Sequence, residues 1–207
     1  MKSDSSFLRA HTVQLLPPTE DDIRLSDWHN WYNNQQLTQY NSHGIYPVTP
    51  QDEVNYVLGQ NRTTTIILAI ECIQTKKIIG NAALQNIDLI NRHCNIAITL
   101  GGHHGISAGV EVYGLLLNHA FNRLNLHRVE DACHEQLEPF VKMLGVLGVE
   151  KEFVSKDYFL RDGHWSDRIH FSVLADNFRK LALLRNGNIL YESYEDLLSA
   201  IVNSVRT

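Results

Sequence analysis

The order of apolar and polar positions divides the chain into strand-like and helix-like segments. Alternating or β-branched runs predict strands over 13–16, 64–72, 78–87, 93–100 and 128–133, from 149 onward, and over 157–160 and 165–174. Apolar residues at helical spacing predict helices from Thr19 through Trp31, over 50–58, from Val112 to Leu124 and over 138–147. The alternation predicts an α/β (α+β) fold with a mixed sheet.

The last stretch, 179–207, has a weaker pattern. Residues 189–191 could form a strand, and residues 194–205 have the spacing of an amphipathic helix. Such a helix could pack on the preceding domain or on a second copy of the chain. A homodimer is therefore one of two possibilities; in the other, this helix packs on its own chain.

Composition narrows the classes of function. The 207 residues carry 18 Lys and Arg against 23 Asp and Glu, a formal charge of −5, without a long basic run. This balance argues against a general nucleic-acid binder. The first 13 residues lack the apolar run of a signal peptide, and no window approaches the roughly 18 apolar residues of a membrane span. We expect a cytoplasmic protein with no membrane partner.

The three cysteines do not suggest a disulfide framework or a metal site. Cys72, Cys94 and Cys133 are widely spaced and include no C-x-x-C pair. Adjacent histidines at 103 and 104 lack a third ligand at recognisable spacing. We expect reduced thiols and no metal.

A glycine-rich run joins the predicted strand 93–100 to the following helix. Residues 101–109 contain Gly101, Gly102, Gly105 and Gly109. Glycines at a helix N-terminus let backbone N–H groups surround a phosphate, which would suit a nucleotide-like cofactor. The run matches neither the P-loop nor the G-x-G-x-x-G pattern. A turn that only reverses the chain remains the alternative.

Several segments in register resemble a known family. They are WYNNQQL at 31–37, IGNAAL at 79–84, NRHCNIAI at 91–98, LNHAF at 117–121, LNLHRVE at 124–130, LGVEKE at 147–152 and DYFLRDGHWSD at 157–167. In order and spacing they resemble the GNAT family of N-acetyltransferases, in particular the branch with ribosomal-protein alanine acetyltransferases and amino-sugar acetyltransferases. The resemblance covers 8–178 as one GNAT-like domain and leaves 179–207 as a C-terminal extension of unknown role.

The resemblance implies a mostly antiparallel central sheet flanked by helices, and acetyl-CoA as co-substrate. The strand end would pair with the pantetheine arm, and the N–H groups after it would hold the pyrophosphate. The implied cofactor-binding residues are Ile98, Thr99, Leu100, His104, Gly105, Ile106, Ser107, Ala108 and Gly109. The acetyl group would pass directly to a primary amine.

The sequence departs from the family pattern at the glycine run and at the catalytic positions. Residues 102–107 stand where the family has [QR]-x-x-G-x-[GA], so Ser107 replaces a smaller residue. We expect its hydroxyl, and a charged His104, to contact phosphate instead. Asn95 stands where many members have a Glu base, while Leu137 and Leu144 replace an Asn and an acidic Tyr. The proton transfers are therefore reduced or relocated.

Three residues are candidates for the missing chemistry. His134 could act as base or acid, Asp88 could orient the amine or take its proton, and Tyr158 could protonate the thiolate. Each has a structural alternative: a core histidine, a solvated strand-end carboxylate and a surface tyrosine. Tyr40 is a further thiolate donor candidate. Glu111, expected in the first turn of the helix after the glycine run, more naturally complements the helix dipole.

Two classes of function follow. The first is an N-acetyltransferase for a small-molecule amine acceptor. Trp28, Trp31 and Tyr32 could line its pocket, although helical spacing makes the tryptophans core residues first, and polar side chains at 33–36, 39 and 41–43 favour an amino-sugar nucleotide. A protein N-terminus is the alternative acceptor. The second class is a degenerate GNAT fold that serves as a non-catalytic binding module.

Overall fold

A single mixed sheet organises the chain in the computed structural model, which describes residues 6–40, 44–102 and 106–206. Its eight strands are β1 (Leu8–Arg9), β2 (Val13–Leu16), β3 (Ile66–Cys72), β4 (Ile78–Asp88), β5 (His93–Leu100), β6 (Arg128–His134), β7 (Glu150–Arg161) and β8 (His164–Leu174). They lie in the order β1-β2-β3-β4-β5-β6-β8-β7. Every neighbouring pair is antiparallel except β5 and β6. The predicted mixed, mostly antiparallel sheet is confirmed.

Helices cover both faces of the sheet. They are α1 (Glu20–Leu25), α2 (Trp28–Asn33), α3 (Gln35–Thr38), α4 (Pro50–Leu58), α5 (Ile106–Asn122), α6 (Glu138–Leu144), α7 (Ala175–Leu184) and α8 (Tyr194–Arg206). Capping boxes begin α1 and α4, where the hydroxyls of Thr19 and Thr49 accept from the N–H groups of Asp22 and Asp52. The predicted starts of these two helices are confirmed.

The helices bury two apolar clusters, one on each face of the sheet. The larger one contains the buried side of α5 together with Leu197 and Ile201 of α8. The smaller one joins Trp28 and Trp31 of α2 to Val54 and Val57 of α4. The tryptophans are therefore core residues, as their spacing indicates, although Trp28 also reaches a cavity described below.

The structure differs from the sequence expectations at several boundaries. The predicted helix through Trp31 breaks at Ser26, whose extended backbone (ψ 178°) cannot continue a helix. The two predicted strands, one from residue 149 onward and one over 157–160, are a single long strand, β7 (Glu150–Arg161), with irregular pairing between Ser155 and Phe159. Residues 189–191 lie outside any strand, so that expectation is wrong.

The C-terminal segment packs on the rest of the chain. The helix α7 crosses the expected boundary at 178. The ring centroid of its Phe178 lies 5.5 Å from the ring centroid of Phe121 on α5. Leu197 is fully buried. The division into 8–178 and 179–207 stays a prediction about function. Within the described ranges, no helix is long and apolar enough to cross a bilayer, and no three His, Cys, Asp or Glu side chains cluster as metal ligands.

Candidate active site

A fork between β5 and β6 is the central feature of the site. The parallel pairing of the two strands runs only from His93–Arg128 to Asn95–Glu130. Beyond it, β5 stays paired with β4 as far as Leu100, and β6 stays paired with β8 as far as His134. The strands therefore separate, and the facing backbone edges of β5 and β6 no longer satisfy each other.

The fork opens into a cavity of about 320 Å³, which we call the fork cavity. Its lining residues come from both strands and from α3, α5, α6 and β8. They are Leu37, Tyr40, Ile96, Ala97, Ile98, Thr99, Leu100, Tyr113, Asp131, Ala132, Cys133, Leu137, Phe140 and Phe171. The predicted pantetheine-binding strand end, 98–100, forms one wall. A long apolar slot with a free strand edge can hold an extended chain of amides.

The chain turns sharply between β5 and α5. The N–H of Gly101 donates to the carbonyl of Ile79 over 2.8 Å, and Gly102 has a φ of +75°. A Cβ on Gly101 would lie 1.9 Å from Nε1 of Trp31, so only glycine fits there. The tight turn brings the start of α5 close to the end of β5, beside the mouth of the fork cavity.

The first turn of α5 offers unpaired N–H groups at this mouth. The first four residues of an α-helix have no intrahelical acceptor for their N–H groups; here they are 106–109. Gly109 permits close packing, because a Cβ there would lie 3.1 Å from the Phe140 ring. The predicted positions His104 and Gly105 lie outside the described residues.

Ser107 does not present a free hydroxyl to a ligand. Its residue is 7% exposed. Its Oγ lies 2.7 Å from the hydroxyl of Tyr194, at the start of α8. The expected phosphate contact of this hydroxyl would have to replace that hydrogen bond.

Glu111 has a different role from the one expected. It lies in the second turn of α5, fully buried, rather than in the first turn. Its Oε2 accepts from the N–H of Thr12 over 3.0 Å and from the Thr12 hydroxyl over 2.6 Å. The expectation of a first-turn residue that complements the helix dipole is wrong: the carboxylate lies one turn later and attaches α5 to the loop between β1 and β2.

A second cavity lies on the sheet face covered by α2 and α4. We call it the Glu53 cavity; its volume is about 170 Å³. Its lining residues are Trp28, Tyr32, Glu53, Tyr56, Val57, Ile67, Asn81, Ala83, Gln85, Ala97 and Thr99. Ala97 and Thr99 line the fork cavity as well. The two cavities therefore meet across this part of β5.

Polar groups of the Glu53 cavity are buried. Glu53 is 8% exposed, and burial raises the pKa of its carboxyl, an effect that the nearby Trp28 indole partly offsets. The hydroxyl of Tyr32 donates to Oδ1 of Asn81 over 3.0 Å, while the buried Nδ2 of Asn81 has no partner among the described residues. Such a donor calls for an acceptor atom on a ligand or a water molecule.

The fork cavity also contains two polar groups that the sequence reasoning missed. Burial raises the pKa of Asp131 to about 7. The hydroxyl of Tyr113 is buried without a partner among the described residues. On β6, Asp131 lies between Val129 and Cys133 at two-residue spacing, so a carboxyl on the buried face could have been noticed. Tyr113 lies among the apolar residues on the buried side of α5, so the sequence pattern predicts only a core residue there.

The predicted catalytic residue His134 lies beside the fork. It is buried, and its ring centroid lies 5.0 Å from that of Tyr40 and 5.2 Å from that of Phe159. Its Nδ1 accepts from the N–H of Gln136 over 3.1 Å, so a neutral ring carries its proton on Nε2. Tyr40 lines the fork cavity, whereas His134 is not among its lining residues.

The two other predicted catalytic residues are farther away. Tyr158 lies on the β7–β8 hairpin, half exposed, and its hydroxyl accepts from the Arg168 guanidinium. Asp88 lies at the paired end of β5, opposite to the fork. Its carboxylate accepts from the N–H groups of Ile90 and Asn91, each over 2.8 Å, and these hydrogen bonds lower its pKa. The structure does not bring Asp88 to either cavity.

The three positions that depart from the family pattern have structural roles. The Asn95 amide donates to the carbonyl of Glu130 over 2.7 Å, at the point where the fork begins. Leu137 lines the fork cavity, and Leu144 is fully buried in the larger apolar cluster. None of the three side chains can exchange a proton at neutral pH.

Comparisons with known proteins agree with this geometry. The model of the acetyltransferase (GNAT) domain family matches residues 12–150. An uncharacterized N-acetyltransferase, p20, of Bacillus licheniformis is 31% identical over 121 residues, which span 58% of this chain and 66% of that relative. The match thus falls just short of two thirds of the relative's length.

Solved structures show the same fold at low identity. The spermidine N-acetyltransferase of Vibrio cholerae, in complex with CoA and spermine, superposes with a TM-score of 0.71 at 19% identity, over 81% of this chain and 98% of that one. A GNAT-family acetyltransferase of Bacillus anthracis superposes with a TM-score of 0.68 at 15% identity, over 82% of this chain and 98% of that one. At these identities the likeness concerns the fold alone.

Proposed function

Since the chain belongs to the acetyltransferase (GNAT) domain family, we propose that it acetylates a small polar primary amine held in the Glu53 cavity. Family membership makes the protein an acyl-CoA-dependent acyltransferase with acetyl-CoA as its donor. The ribosomal-protein or amino-sugar branch, by contrast, does not follow from the family match. The observation that carries the proposal is the meeting of two cavities at Ala97 and Thr99.

We place acetyl-CoA in the fork cavity. Ile98, Thr99 and Leu100 would form the strand edge along the pantetheine arm, and the N–H groups from His104 to Gly109 would hold the pyrophosphate. The thioester would then lie where β5 and β6 separate. The free backbone edge of β5 supports this placement, because it offers hydrogen bonds that no neighbouring strand takes.

Glu53 is our candidate for the base. An amine attacks a thioester only as the neutral nitrogen, so an ammonium acceptor must first lose a proton. A buried carboxylate attracts the ammonium group, and its raised pKa makes it a better proton acceptor than an exposed Glu. The nitrogen would then form the new C–N bond with the thioester carbon beside Ala97, which lines both cavities. His134, kept as an alternative acid or base, lies outside the lining of both cavities and contacts the fork cavity's Tyr40.

The lining of the Glu53 cavity favours an acceptor with several hydrogen-bonding groups and one amine. Glu53 is the one acidic residue among the described residues that line it. Asn81 and Gln85 add amides that can pair with hydroxyl groups, and Trp28 and Tyr56 add aromatic surface. The amino-sugar ring of a 4-amino-sugar nucleotide has this character, and at about 170 Å³ the cavity would hold that ring while the nucleotide stays outside. A polyamine, the substrate class named for the Vibrio cholerae neighbour, carries more positive charge than one carboxylate offsets.

The test is acetyl transfer measured as release of free CoA thiol. We expect turnover with an amino-sugar nucleotide to exceed turnover with spermidine or a peptide with a free N-terminal alanine. Glu53→Gln keeps the shape but loses the base, and we expect a decrease in kcat of about 10²- to 10⁴-fold. Glu150→Gln, on the exposed surface of β7, is the matched control and should retain wild-type turnover.

Two results would redirect the proposal. Turnover highest with the peptide would favour the protein N-terminus as acceptor. Binding of acetyl-CoA without CoA release for any amine would favour the non-catalytic module. The cytoplasmic location stays a prediction, as does a homodimer, for which the exposed stripe Leu198, Val202 and Val205 on α8 is the candidate contact. Sedimentation of the Val202→Glu variant would test the dimer.

A further inference from the structure

Two polar side chains face the fork cavity but have no part in the proposed function so far. Asp131 is the first residue of β6 beyond the last β5–β6 pair, Asn95–Glu130, so it lies at the vertex of the fork. Side chains alternate along a strand, which places Asp131 on the same sheet face as Val129 and its partner Cys94. This face is covered by α5, whose Tyr113 lines the same cavity.

The Tyr113 hydroxyl points to a ligand. The residue is 1% exposed, and its oxygen is buried without a hydrogen-bond partner among the described residues. A buried hydroxyl that stays unpaired carries a desolvation cost, and native structures seldom leave one in that state. Since Tyr113 lines a cavity, an atom of the cavity's ligand can supply the missing partner.

The surroundings of Asp131 favour its neutral, proton-carrying form. The titratable or charged groups that act on it are Tyr113 of α5, Cys94 of β5, Cys133 of β6 and Arg168 of β8. Burial is the largest effect and raises the Asp131 pKa to about 7. The Ala132 N–H, which donates to Oδ1 of Asp131 over 2.7 Å, and the Arg168 charge both act to lower the pKa and offset burial only in part. Burial also raises the pKa of Tyr113 well above its usual value, so this hydroxyl remains a neutral donor.

The reaction requires a proton at this end of the cavity. The departing group is a thiolate, and the position where the family resemblance implies a tyrosine acid is Leu144, which is fully buried and carries no proton to give. Asp131 reaches the fork from β6, whereas Leu144 lies on α6. The Asp131 carboxyl is the one carboxyl group among the described residues that line the cavity, and it is a stronger acid than the tyrosine hydroxyls there.

We propose that Asp131 donates its proton to the departing thiolate of CoA, and that the Tyr113 hydroxyl donates a hydrogen bond to the thioester end of acetyl-CoA. This inference rests on the proposed function. The amine nitrogen forms a bond to the thioester carbon, and the carbon–sulfur bond breaks with its electron pair left on sulfur. The Asp131 proton then moves to sulfur and gives the free thiol. The nitrogen loses two protons in all: the ammonium group gives one to Glu53 before the attack, and the nitrogen gives the second to solvent once the C–N bond has formed. Glu53 returns its proton to solvent and the Asp131 carboxylate regains one from it, so each turnover releases one proton.

Asp131→Asn tests the proton transfer, because asparagine keeps the shape without a titratable proton. We expect kcat to fall by about 10²-fold with little change in KM for acetyl-CoA. We also expect the variant to lose the decrease in kcat that wild type shows as pH rises through about 7. Asp157→Asn is the matched control: Asp157 is exposed on β7 with a φ of +48°, a conformation that asparagine also tolerates.

A binding measurement tests the same placement without turnover. CoA that fills the cavity removes water from Asp131 and raises its pKa further, so wild type should take up a fraction of a proton on binding between about pH 7 and 8. Calorimetry in two buffers of different ionisation enthalpy measures this uptake. Asp131→Asn should bind CoA without it. Tyr113→Phe should bind acetyl-CoA about fivefold more weakly, because one hydrogen bond to the thioester is lost, and should bind free CoA as wild type does.

The outcomes separate this inference from the proposed function. Normal kcat and an unchanged pH profile in Asp131→Asn, or equal proton uptake in wild type and variant, would overturn the role of Asp131 while leaving the transferase intact. Absence of proton uptake in wild type that binds CoA would also overturn it, even if Asp131→Asn does not fold. Failure of wild type to bind CoA at all would overturn the proposed function and this inference together.

Discussion

Two carboxyl groups, the buried Glu53 and the partly buried Asp131, flank β5 from opposite faces of the sheet, and desolvation raises the pKa of both. Glu53 lies among amides and aromatic rings on the α4 side. Asp131 lies at the vertex of the fork, on the side of α5 and its unpaired Tyr113 hydroxyl. In our proposals one accepts a proton from the amine and the other donates a proton to the thiolate. Position relative to the thioester, rather than residue type, therefore decides the direction of transfer.

Ala97 tests whether the two cavities communicate. Its small side chain lines both of them, so Ala97→Leu would block the passage between amine and thioester while leaving each end intact. We expect kcat/KM for acetyl transfer to fall by about 10²-fold, since reacting groups held apart lose the benefit of positioning. Acetyl-CoA affinity, measured by calorimetry, should change far less. Wild-type turnover in this variant would show that the amine reaches the thioester by another route.

The pH dependence of kcat sharpens the contrast between the carboxyl groups. Glu53 acts as a carboxylate, so kcat should rise as pH passes upward through its raised pKa. Asp131 acts as a neutral acid, so kcat should fall as pH rises through about 7. On the acid limb below the Glu53 pKa, and on the alkaline limb above about pH 7, kcat should change by up to tenfold per pH unit. Glu53→Gln should lose the acid limb and Asp131→Asn the alkaline one. Loss of the same limb in both variants would contradict the opposite assignments.

The free energy of unfolding provides a comparison that does not depend on activity. A carboxyl whose pKa is raised from about 3.9 in the unfolded chain keeps its proton longer in the fold, so its contribution is fully present below pH 4 and is lost as pH rises through about 7. Asp131→Asn should lack this loss. Relative to wild type, it should gain on the order of 4 kcal/mol between pH 4 and 8, measured by denaturant titration. If the free energies of unfolding of wild type and variant depend on pH in the same way, the Asp131 pKa is not raised in the fold and the carboxyl is in contact with water.

The smallest expected effect concerns the start of α5. Ser107→Ala removes the hydrogen bond to Tyr194 and should weaken acetyl-CoA binding by about fivefold, the value of one such bond. Tyr194→Phe should have the same effect, and the double variant no more than either, because both lose one shared contact. Binding tighter than wild type in Ser107→Ala would show that the hydroxyl obstructs the pyrophosphate.

The sequence predicted the framework of the site better than its chemistry. Local patterns sufficed for β5, for the glycine turn and for the helix after it, because strand periodicity and glycine act over a few residues. The fork was not predictable in this way, since the end of pairing at Asn95–Glu130 depends on the neighbours that β5 and β6 have on their other sides. Glu53 becomes a buried carboxyl only when α4 packs on the sheet.

The misplaced candidates show the same limit. Asp88 ends a strand near charged and polar residues, but the direction of that strand carries it away from the fork. Tyr158 lies on a hairpin whose length and irregular pairing move it to the surface. Asp131, in contrast, lies between Val129 and Cys133 on one face of β6. Strand periodicity alone therefore predicts a carboxyl group on that apolar face.

A structure of the protein with bound CoA is the most direct test of the account. We predict the pantetheine arm along Ile98–Leu100 between β5 and β6, with the sulfur at the vertex of the fork, facing Ala97 on one side and Asp131 on the other. Coenzyme bound elsewhere, or a fork closed by new pairing between β5 and β6, would contradict it.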